Sequence, residues 1–293
     1  MRSFSNVHPV VLIIFFLSVL LISMFTWHPI LLLTALASGI CFSILLERGH
    51  NIGRNIAFYL PMFILIAVTN PLFSHNGETP LFFMNGNAVT WEAIVYGIAI
   101  AVMLVAVMLW CKCYTIIMTS DKFLYLFGSI IPKIALILSI AIRFIPQFKD
   151  QIRRVNYAQK AMGLYTSDSY LDKLRSALRV FSVMITWSLE SSVETGNCMK
   201  ARGYGLKGRT HFSLFQFGRN DGILLTYCIV CIVTALLGVA LKCIPFYFYP
   251  RISGITSTLP AILTYSSFFA MAFMPCAYEL KENLKWKYYV LKI

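Results

Sequence analysis

Two short segments of this sequence place a lysine, an alanine and a glycine in the same order. Residues 200–203 read Lys-Ala-Arg-Gly, and residues 160–163 read Lys-Ala-Met-Gly. An arginine forms forked hydrogen bonds with a carboxylate, and a small alanine beside it lets another surface approach closely. We therefore predict two similar docking points for a partner. Their candidate residues are Lys160, Ala161, Met162, Gly163, Lys200, Ala201, Arg202 and Gly203.

The same pattern also fits a purely structural role at a helix end. The C-terminal end of a helix carries partial negative charge, so a cation such as Arg202 in its last turn is stabilised locally. A glycine just after the last turn adopts the left-handed conformation that ends many helices. We predict that Gly163 and Gly203 each end a helix. The tripeptide alone leaves docking and capping open.

The elements that carry these segments belong to a strongly apolar chain. Hydrophobic residues make up 58% of its 293 residues and charged residues only 13%, far from the range of soluble proteins. Six apolar blocks approach the roughly 17 to 20 residues that a membrane helix needs. The first ends in a tight turn and not in a cleavage site, so we interpret it as a retained helix. The blocks are residues 7–25, 30–46, 56–71, 93–110, 223–241 and 255–275.

Much of the net charge of +13 lies in one central segment. Residues 149–219 contain twelve Lys and Arg against five Asp and Glu, an excess of seven positive charges. Such residues beside membrane spans mark the cytoplasmic side and contact anionic lipid. The sequence therefore predicts an all-α integral membrane protein with about six transmembrane helices and a basic cytoplasmic domain between spans four and five. Both termini are predicted to be cytoplasmic, and the longest outside loop is residues 71–90.

Residues 123–146 are apolar, yet basic residues flank them on both sides. A single crossing would place one of the two basic clusters outside. We therefore predict an interfacial or partly inserted hairpin that is broken near Pro132, with Lys133 and Arg143 reaching toward lipid headgroups. A separate amphipathic helix is predicted over residues 147–161, because apolar residues recur there at helical spacing.

The eight cysteines do not form a recognisable metal site. Cys111 and Cys113 are close in sequence, as are Cys228 and Cys231, but neither pair has a second pair or a suitable histidine motif nearby. Structural zinc needs four convergent ligands. We predict no metal and no cofactor, and we interpret the cysteines as small residues of the membrane core.

Several motifs in the central segment occur together in the order of a known family. Arg-Phe-Ile-Pro at residues 143–146 and Ala-Gln-Lys-Ala-Met-Gly at 158–163 are followed by Lys-Ala-Arg-Gly-Tyr-Gly at 200–205 and Gly-Arg-Thr at 208–210. With the order of spans, this chain resembles the transmembrane T component of energy-coupling factor transporters, the EcfT/CbiQ family. The resemblance implies cytoplasmic coupling helices that end in two Ala-Arg-Gly signatures. It also implies that the signatures sit in grooves on two ABC-type ATPases, while other surface holds a substrate-binding S component.

The resemblance carries over residue by residue. Residues 201–203 match the second signature in full, whereas Met162 stands where the first signature usually has arginine. The first helix is therefore expected to dock through apolar contact with nearby cations supplying charge, or the two ATPases are held with unequal strength. The nearby cations are Arg153, Arg154 and Lys160.

The implied mechanism is mechanical. ATPase movement would shift the coupling helices and reorient the S component, importing a vitamin or a transition-metal ion across the cell membrane of a prokaryote. The chain has no phosphate-binding loop motif, so it is not expected to hydrolyse ATP itself. The implied domains are residues 1–120 and 221–293 as transmembrane helices and 121–220 as the coupling-helix domain.

Three other functions are less consistent with the sequence. A self-contained secondary carrier or channel would place ionisable groups near the bilayer midplane, and the predicted spans are nearly free of charge. An intramembrane enzyme needs a positioned base, yet the five histidines are scattered and form no metalloprotease motif. No nucleic-acid partner is predicted, because the aromatic residues lie mostly in the spans and not on the basic segment. The carrier or channel is retained as the alternative.

Overall fold

The computed structural model describes residues 4–47, 49, 52–74, 77–84, 87–163, 170–206, 215–241 and 243–291. Over these ranges the chain is built almost entirely from α-helices, which confirms the predicted fold class. A short 3₁₀ turn, Phe4–Asn6, precedes the first helix. The helices are α1 Pro9–Phe25, α2 Pro29–Glu47, α3 Ile52–Phe73, α4 Trp91–Ile117, α5 Ser120–Ile130, α6 Pro132–Ala161, α7 Tyr170–Ala201, α8 Arg219–Ala240 and α9 Leu259–Leu291.

Within the described ranges, five helices are long and apolar enough to cross a bilayer: α2, α3, α4, α8 and α9. Helix α1 is apolar and has 17 residues, about the lower limit for a span. The last helix differs from the predicted block, because it begins at Leu259 and continues through Pro275 to Leu291. Neighbouring groups in membrane helices satisfy the carbonyl that a proline leaves free, so a proline does not have to end the helix.

The segment between α3 and α4 is more ordered than the predicted loop at residues 71–90. Helix α3 extends through Pro71 to Phe73, and two antiparallel strands follow, β1 Pro80–Met84 and β2 Asn87–Thr90. The amide of Asn70 donates to the carbonyl of Ala93 at 2.9 Å, which ties the end of α3 to the start of α4. Pairing between the strands is a contact that the sequence pattern did not reveal.

The described chain divides into two compact units. One, here called the membrane unit, comprises Met1–Phe123 and Phe215–Ile293, and the other, the helical unit, comprises Leu124–Leu214. The membrane unit therefore contains all five span candidates and α1. The helical unit contains α6, α7 and most of α5.

Aromatic packing forms the centre of the membrane unit. The Trp110 side chain of α4 is fully buried, and its indole N–H donates to the carbonyl of Ala35 in α2 at 3.0 Å. Phe15 and Phe16 of α1 meet this indole edge-on, with centroid separations of 5.7 and 6.0 Å. Edge-to-face contacts of this kind add to the burial of the rings and hold α1, α2 and α4 together.

The N-terminal segment is hydrogen-bonded to the distant helices of the membrane unit. The backbone N–H of Phe4 donates to a carboxylate oxygen of Glu279 in α9 at 3.0 Å. The backbone N–H of His8 donates to the Asp221 carboxylate in α8 at 3.1 Å. Because Glu279 is only 4% exposed, the Phe4 contact lies in a largely water-free setting. These bonds join the two ends of the membrane unit.

Lys122, in the first turn of α5, is also tied to this segment. Its ammonium group donates to the carbonyl of Ser5 and, at 3.0 Å, to the carbonyl of Ile117. The side chain is buried, and burial lowers the pKa of Lys122. Lys122 is thus a structural residue at the base of α5.

Three polar side chains form a closed cluster at the ends of α2, α3 and α4. The ammonium of Lys112 lies 2.6 Å from one Glu47 oxygen and donates to the Asn55 side-chain oxygen at 2.7 Å. The Asn55 amide donates to the other Glu47 oxygen at 2.7 Å. Each of the three side chains is therefore hydrogen-bonded or ion-paired to the other two. These contacts offset the free-energy cost of placing two charges at the edge of an apolar bundle.

The helical unit is an antiparallel pair formed by α6 and α7. The ring centroids of Phe148 and Trp187 lie 5.3 Å apart, while Ile140, earlier in α6, lines the same cavity as Met199, later in α7. As residue numbers rise along α6, they therefore fall along the facing part of α7. The predicted break near Pro132 is confirmed, because α5 ends at Ile130 and α6 begins at Pro132.

The predicted start of the next helix at residue 147 was wrong. Helix α6 runs without interruption from Pro132 to Ala161 and contains Pro146 in its interior. The apolar residues before Pro146 and the charged residues after it therefore belong to one continuous helix. This continuity places Arg143 and the first signature on the same rigid element.

Candidate functional site

The second signature occupies the C-terminal end of α7. The N–H of Gly203 donates to the Lys200 carbonyl and the N–H of Tyr204 to the Met199 carbonyl, both at 3.0 Å. Gly203 has φ +76°, the left-handed conformation. These two bonds define a Schellman motif in which Arg202 is the last residue before the glycine. The backbone of Arg202 is thereby held in a defined position while its side chain stays exposed.

The first signature shares the bond of the glycine N–H and its positive φ at the end of α6. The N–H of Gly163 donates to the Lys160 carbonyl at 3.0 Å, and Gly163 has φ +70°. The N–H of Met162 donates to the Ala158 carbonyl at 3.0 Å. The prediction that Gly163 and Gly203 end helices is confirmed. Met162 is 65% exposed, so an apolar side chain projects into the surroundings where the other signature has an arginine.

The candidate residues lie on the surface and form two groups. Lys160, Ala161 and Met162 are exposed at one helix end, as are Lys200, Ala201 and Arg202 at the other. Because α6 and α7 are antiparallel, the two groups lie at opposite ends of the pair. The part of α6 that faces the second signature is about 20 residues before the first, which corresponds to about 30 Å of helix. The structure therefore does not bring the two signatures together.

A cavity of about 410 Å³ lies between α6 and the end of α7. Two arginines line it, Arg143 from α6 and Arg202 from the signature. In the described part of the chain, neither of these guanidinium groups has an ion-pair partner; Arg153 and Arg175 of the same unit pair with Asp150 and Asp172 at 3.7 and 3.6 Å. The remaining lining residues are Leu136, Ser139, Ile140, Thr195, Met199, Gly203 and Tyr204.

Sequence reasoning did not identify Arg143 as a site residue. It assigned this arginine to lipid headgroups, although Arg-Phe-Ile-Pro was one of the motifs that carried the family resemblance. That motif was the available signal. Its position relative to Arg202 depends on the pairing of α6 with α7, which no local pattern reveals.

A second cavity, about 440 Å³, lies farther along the same helix pair. Its lining is almost wholly apolar, and several of its residues are largely exposed, with Phe181 at 63% and Leu189 at 65%. Exposed apolar surface of this kind is typical of a contact with another protein or with lipid. The other lining residues are Phe148, Ile152, Ala177, Val180, Met184, Ile185 and Ser188.

No cysteine is among the described lining residues of either of these two cavities. All eight are free thiols; Cys111 is exposed and Cys113 is buried, so they point to different surroundings. Over the described ranges no group of three or more His, Cys, Asp or Glu side chains could hold a metal ion. The Gly-Arg-Thr sequence at residues 208–210 lies outside the described residues.

Comparison with known proteins identifies the family. A family model described as "Cobalt transport protein", CbiQ, matches residues 2–212. A Lactobacillus helveticus protein named energy-coupling factor transporter transmembrane protein EcfT is 28% identical over 178 residues, which is 54% of this chain and 64% of the relative. Proteins of the same name from Listeria innocua and Bacillus selenitireducens are each 35% identical over 95 residues, 32% of this chain.

The matched segments span less than two thirds of these relatives: 64% of the Lactobacillus protein, 36% of the Listeria protein and 35% of the Bacillus protein. The family match is broader, and it covers α1 to α4, the α5–α6 break and both signatures. Together with the apolar helices, these matches show a multi-pass membrane protein. This chain belongs to the EcfT/CbiQ family, whose named relatives are transmembrane proteins of energy-coupling factor transporters.

Proposed function

We propose that this chain is the transmembrane coupling scaffold of an ATP-driven importer of the energy-coupling factor type. It transmits the movement of two ABC-type ATPases to a substrate-binding S component, which carries a vitamin or a transition-metal ion inward. The observation that carries the proposal is the pair of equivalent, exposed, glycine-capped ends of α6 and α7. ATP hydrolysis belongs to the partner subunits, because this chain lacks a phosphate-binding loop motif.

The arrangement of the two helix ends suits a partner with two similar subunits. A pair of ATPases offers two similar grooves side by side, and the two signatures lie about 30 Å apart along one antiparallel pair. At each end the alanine and the residue between it and the glycine are exposed, and a lysine directly precedes the alanine. Docking at both ends would move α6 and α7 whenever the ATPases open or close.

The two ends offer different chemistry to their grooves. Arg202 supplies a guanidinium that binds a carboxylate with two parallel hydrogen bonds. Met162 supplies a flexible apolar side chain that fills an apolar recess. The second signature therefore binds its ATPase groove more tightly than the first. Lys160 and Lys200 add positive charge near each end.

The apolar cavity of the helical unit supports a second partner. Exposing apolar surface to water costs roughly 25 cal/mol per Å², so Phe181, Ile185 and Leu189 favour a covered surface. The S component is the partner that a coupling scaffold requires there, with membrane lipid around the rest. Residues 121–220 would then form the coupling-helix domain on the cytoplasmic side, and both termini would be cytoplasmic.

A self-contained secondary carrier or channel is the alternative. Such a protein binds its solute through ionisable or broken-helix groups at the bilayer midplane. In the described spans, Glu47 and Glu92 lie near helix ends, and the buried carboxylate of Glu279 in α9 accepts a hydrogen bond from the backbone N–H of Phe4. No observation on the described residues favours this alternative.

The test is affinity purification of the tagged chain from its native membrane in mild detergent, followed by mass spectrometry. Wild type is expected to recover two ABC-type ATPases and a small hydrophobic protein, and Arg202→Glu to lose the ATPases. Arg179→Glu is the matched control, because Arg179 is exposed on the same helix outside the signature. Absence of any ATPase with the wild type would contradict the scaffold and promote the carrier.

A further inference from the structure

The cavity at the end of α7 brings together two cations that are 59 residues apart in sequence. Arg202 enters it from the Schellman motif, whose two hydrogen bonds hold its backbone in place. Arg143 enters it from the facing turn of α6. Because both residues stand on regular helices or helix ends, their backbones are held in place before any partner arrives.

The lining of this cavity carries positive charge without a compensating acid. No Asp or Glu is among its described lining residues, and the acid nearest in sequence, Glu194, is exposed and does not line it. Two guanidinium groups that face one cavity repel each other. A single anion between them converts that repulsion into attraction and accepts hydrogen bonds from both.

We infer that Arg143 and Arg202 together bind one aspartate or glutamate side chain of the ATPase that docks at the second signature. The inference rests on the proposed function, and it adds to it a second binding residue and the chemical identity of the partner group. Arg143 strengthens this docking point from a different helix. The first signature has no such pair, because Met162 stands at its centre.

The lining favours an acidic protein side chain over the phosphate of a lipid. Three residues with hydroxyl side chains, Ser139, Thr195 and Tyr204, line the cavity together with the two arginines. The aliphatic lining is limited to Leu136, Ile140 and Met199, too little to accompany an acyl chain. A side chain with a short apolar stem and a carboxylate tip matches this mixture.

The experiment is a double-mutant cycle on ATPase binding. The ATPases recovered with the wild-type chain are purified and titrated onto detergent-solubilised wild type, Arg143→Gln, Arg202→Gln and the double variant. Each single substitution is expected to weaken binding about 10- to 100-fold, and the double variant by clearly less than the product of the two. Arg143→Lys, which keeps the charge and loses the fork, is expected to fall between wild type and Arg143→Gln.

The control is Arg179→Gln, which removes the same charge from an exposed position of the helical unit outside the cavity. Its binding is expected to equal that of the wild type. A monodisperse peak on size-exclusion chromatography establishes that each variant is folded. If Arg143→Gln is not folded, Arg143→Lys replaces it in the binding titration.

Three outcomes of these measurements would overturn the inference. Full binding by Arg143→Gln with weak binding by Arg202→Gln would overturn the shared carboxylate while leaving the scaffold intact. Strict multiplicativity in the double variant would also overturn it, because the two arginines would then act on separate groups. Loss of co-purified anionic lipid without loss of ATPase affinity would assign the cavity to a lipid phosphate. Failure of wild type to recover any ATPase is the separate failure of the proposed function.

Discussion

Met162 and Arg202 occupy equivalent positions at two helix ends. Each donates its backbone N–H to the carbonyl four residues earlier, at 3.0 and 3.1 Å, and each precedes a glycine with positive φ. Over the four residues Lys-Ala-x-Gly, the two sites therefore have these backbone features in common and differ in one side chain. Any difference in how they hold a partner follows from that side chain and its surroundings.

Charge reversal is predicted to affect the two ends unequally. Arg202→Glu places a carboxylate against the proposed partner carboxylate and should reduce ATPase affinity by more than about 100-fold, since it replaces attraction by repulsion. Met162→Glu removes an apolar contact at the other end and should weaken only one of two ATPase contacts. The measurement is the number of ATPase copies bound per chain, by native mass spectrometry. Equal loss from both substitutions would contradict the asymmetry.

Gly203→Ala is predicted to destabilise the end of α7. With φ +76°, an alanine there costs about 1–2 kcal/mol, and its Cβ would lie 3.1 Å from Leu206 Cδ1. Gly196→Ala is the control, because Gly196 lies inside α7 with nothing within 4 Å of the added Cβ. Alanine there should stabilise the helix by about 0.5–1 kcal/mol. Hydrogen exchange of the amides of α7 distinguishes the two, and protection unchanged by Gly203→Ala would refute the capping role.

Removing the acceptor of the N-terminal segment is predicted to loosen it. Glu279→Ala leaves the buried N–H of Phe4 without its carboxylate and should lower the free energy of unfolding by about 1–3 kcal/mol. Glu282→Ala, which removes only an exposed pair with Lys285 at 3.0 Å, should change it by less than about 1 kcal/mol. Thermal unfolding in detergent reports the difference, and proteolysis near the N-terminus should accelerate only in the first variant. Equal effects would argue against a special role for Glu279.

The Glu47, Asn55 and Lys112 cluster is predicted to behave as a unit. Lys112→Met leaves the Glu47 carboxylate, 10% exposed, beside an apolar side chain, and should destabilise the membrane unit by about 2–4 kcal/mol. Adding Glu47→Gln removes the uncompensated charge and should recover part of that loss. Thermal unfolding of both variants tests the coupling. A double variant no more stable than Lys112→Met would show that the pair does not interact as described.

Acidification is predicted to weaken the membrane unit through His28. This side chain, in the turn between α1 and α2, is 1% exposed, and its Nε2 lies 2.9 Å from the Tyr265 hydroxyl. Burial lowers the pKa of His28 below its ordinary value of 6.5. As the pH falls below about 6.5, the unfolded state therefore takes up the proton first, and stability decreases until the lower folded pKa is passed.

The measurement for His28 is the loss of thermal stability between pH 7 and pH 5, in wild type and in His28→Gln. The variant should lose less over this interval, because it has no imidazole to protonate. Parallel losses in the two proteins would show that other groups carry the pH dependence.

Local patterns were sufficient for most of the helices of this fold. The apolar blocks predicted the spans, because a helix that crosses lipid must satisfy its own backbone and must be apolar along its length. Gly163 and Gly203 predicted two helix ends, and Pro132 predicted the break between α5 and α6, because their backbone preferences act within a few residues. The motifs around the two signatures also indicated the family, because they are short stretches of consecutive residues that can be recognised without knowing how the helices pack.

Contacts between distant residues could be decided only by the tertiary structure. Apolar spacing suggested a helix that begins at residue 147, yet α6 runs straight through Pro146, and strands β1 and β2 pair where a loop was expected. The bond from Phe4 to Glu279 and the meeting of Arg143 with Arg202 in one cavity depend on which helix faces pack together. Sequence periodicity determines which residues share a face of one helix. It does not determine which other helix that face meets, because that choice depends on the packing of the whole chain.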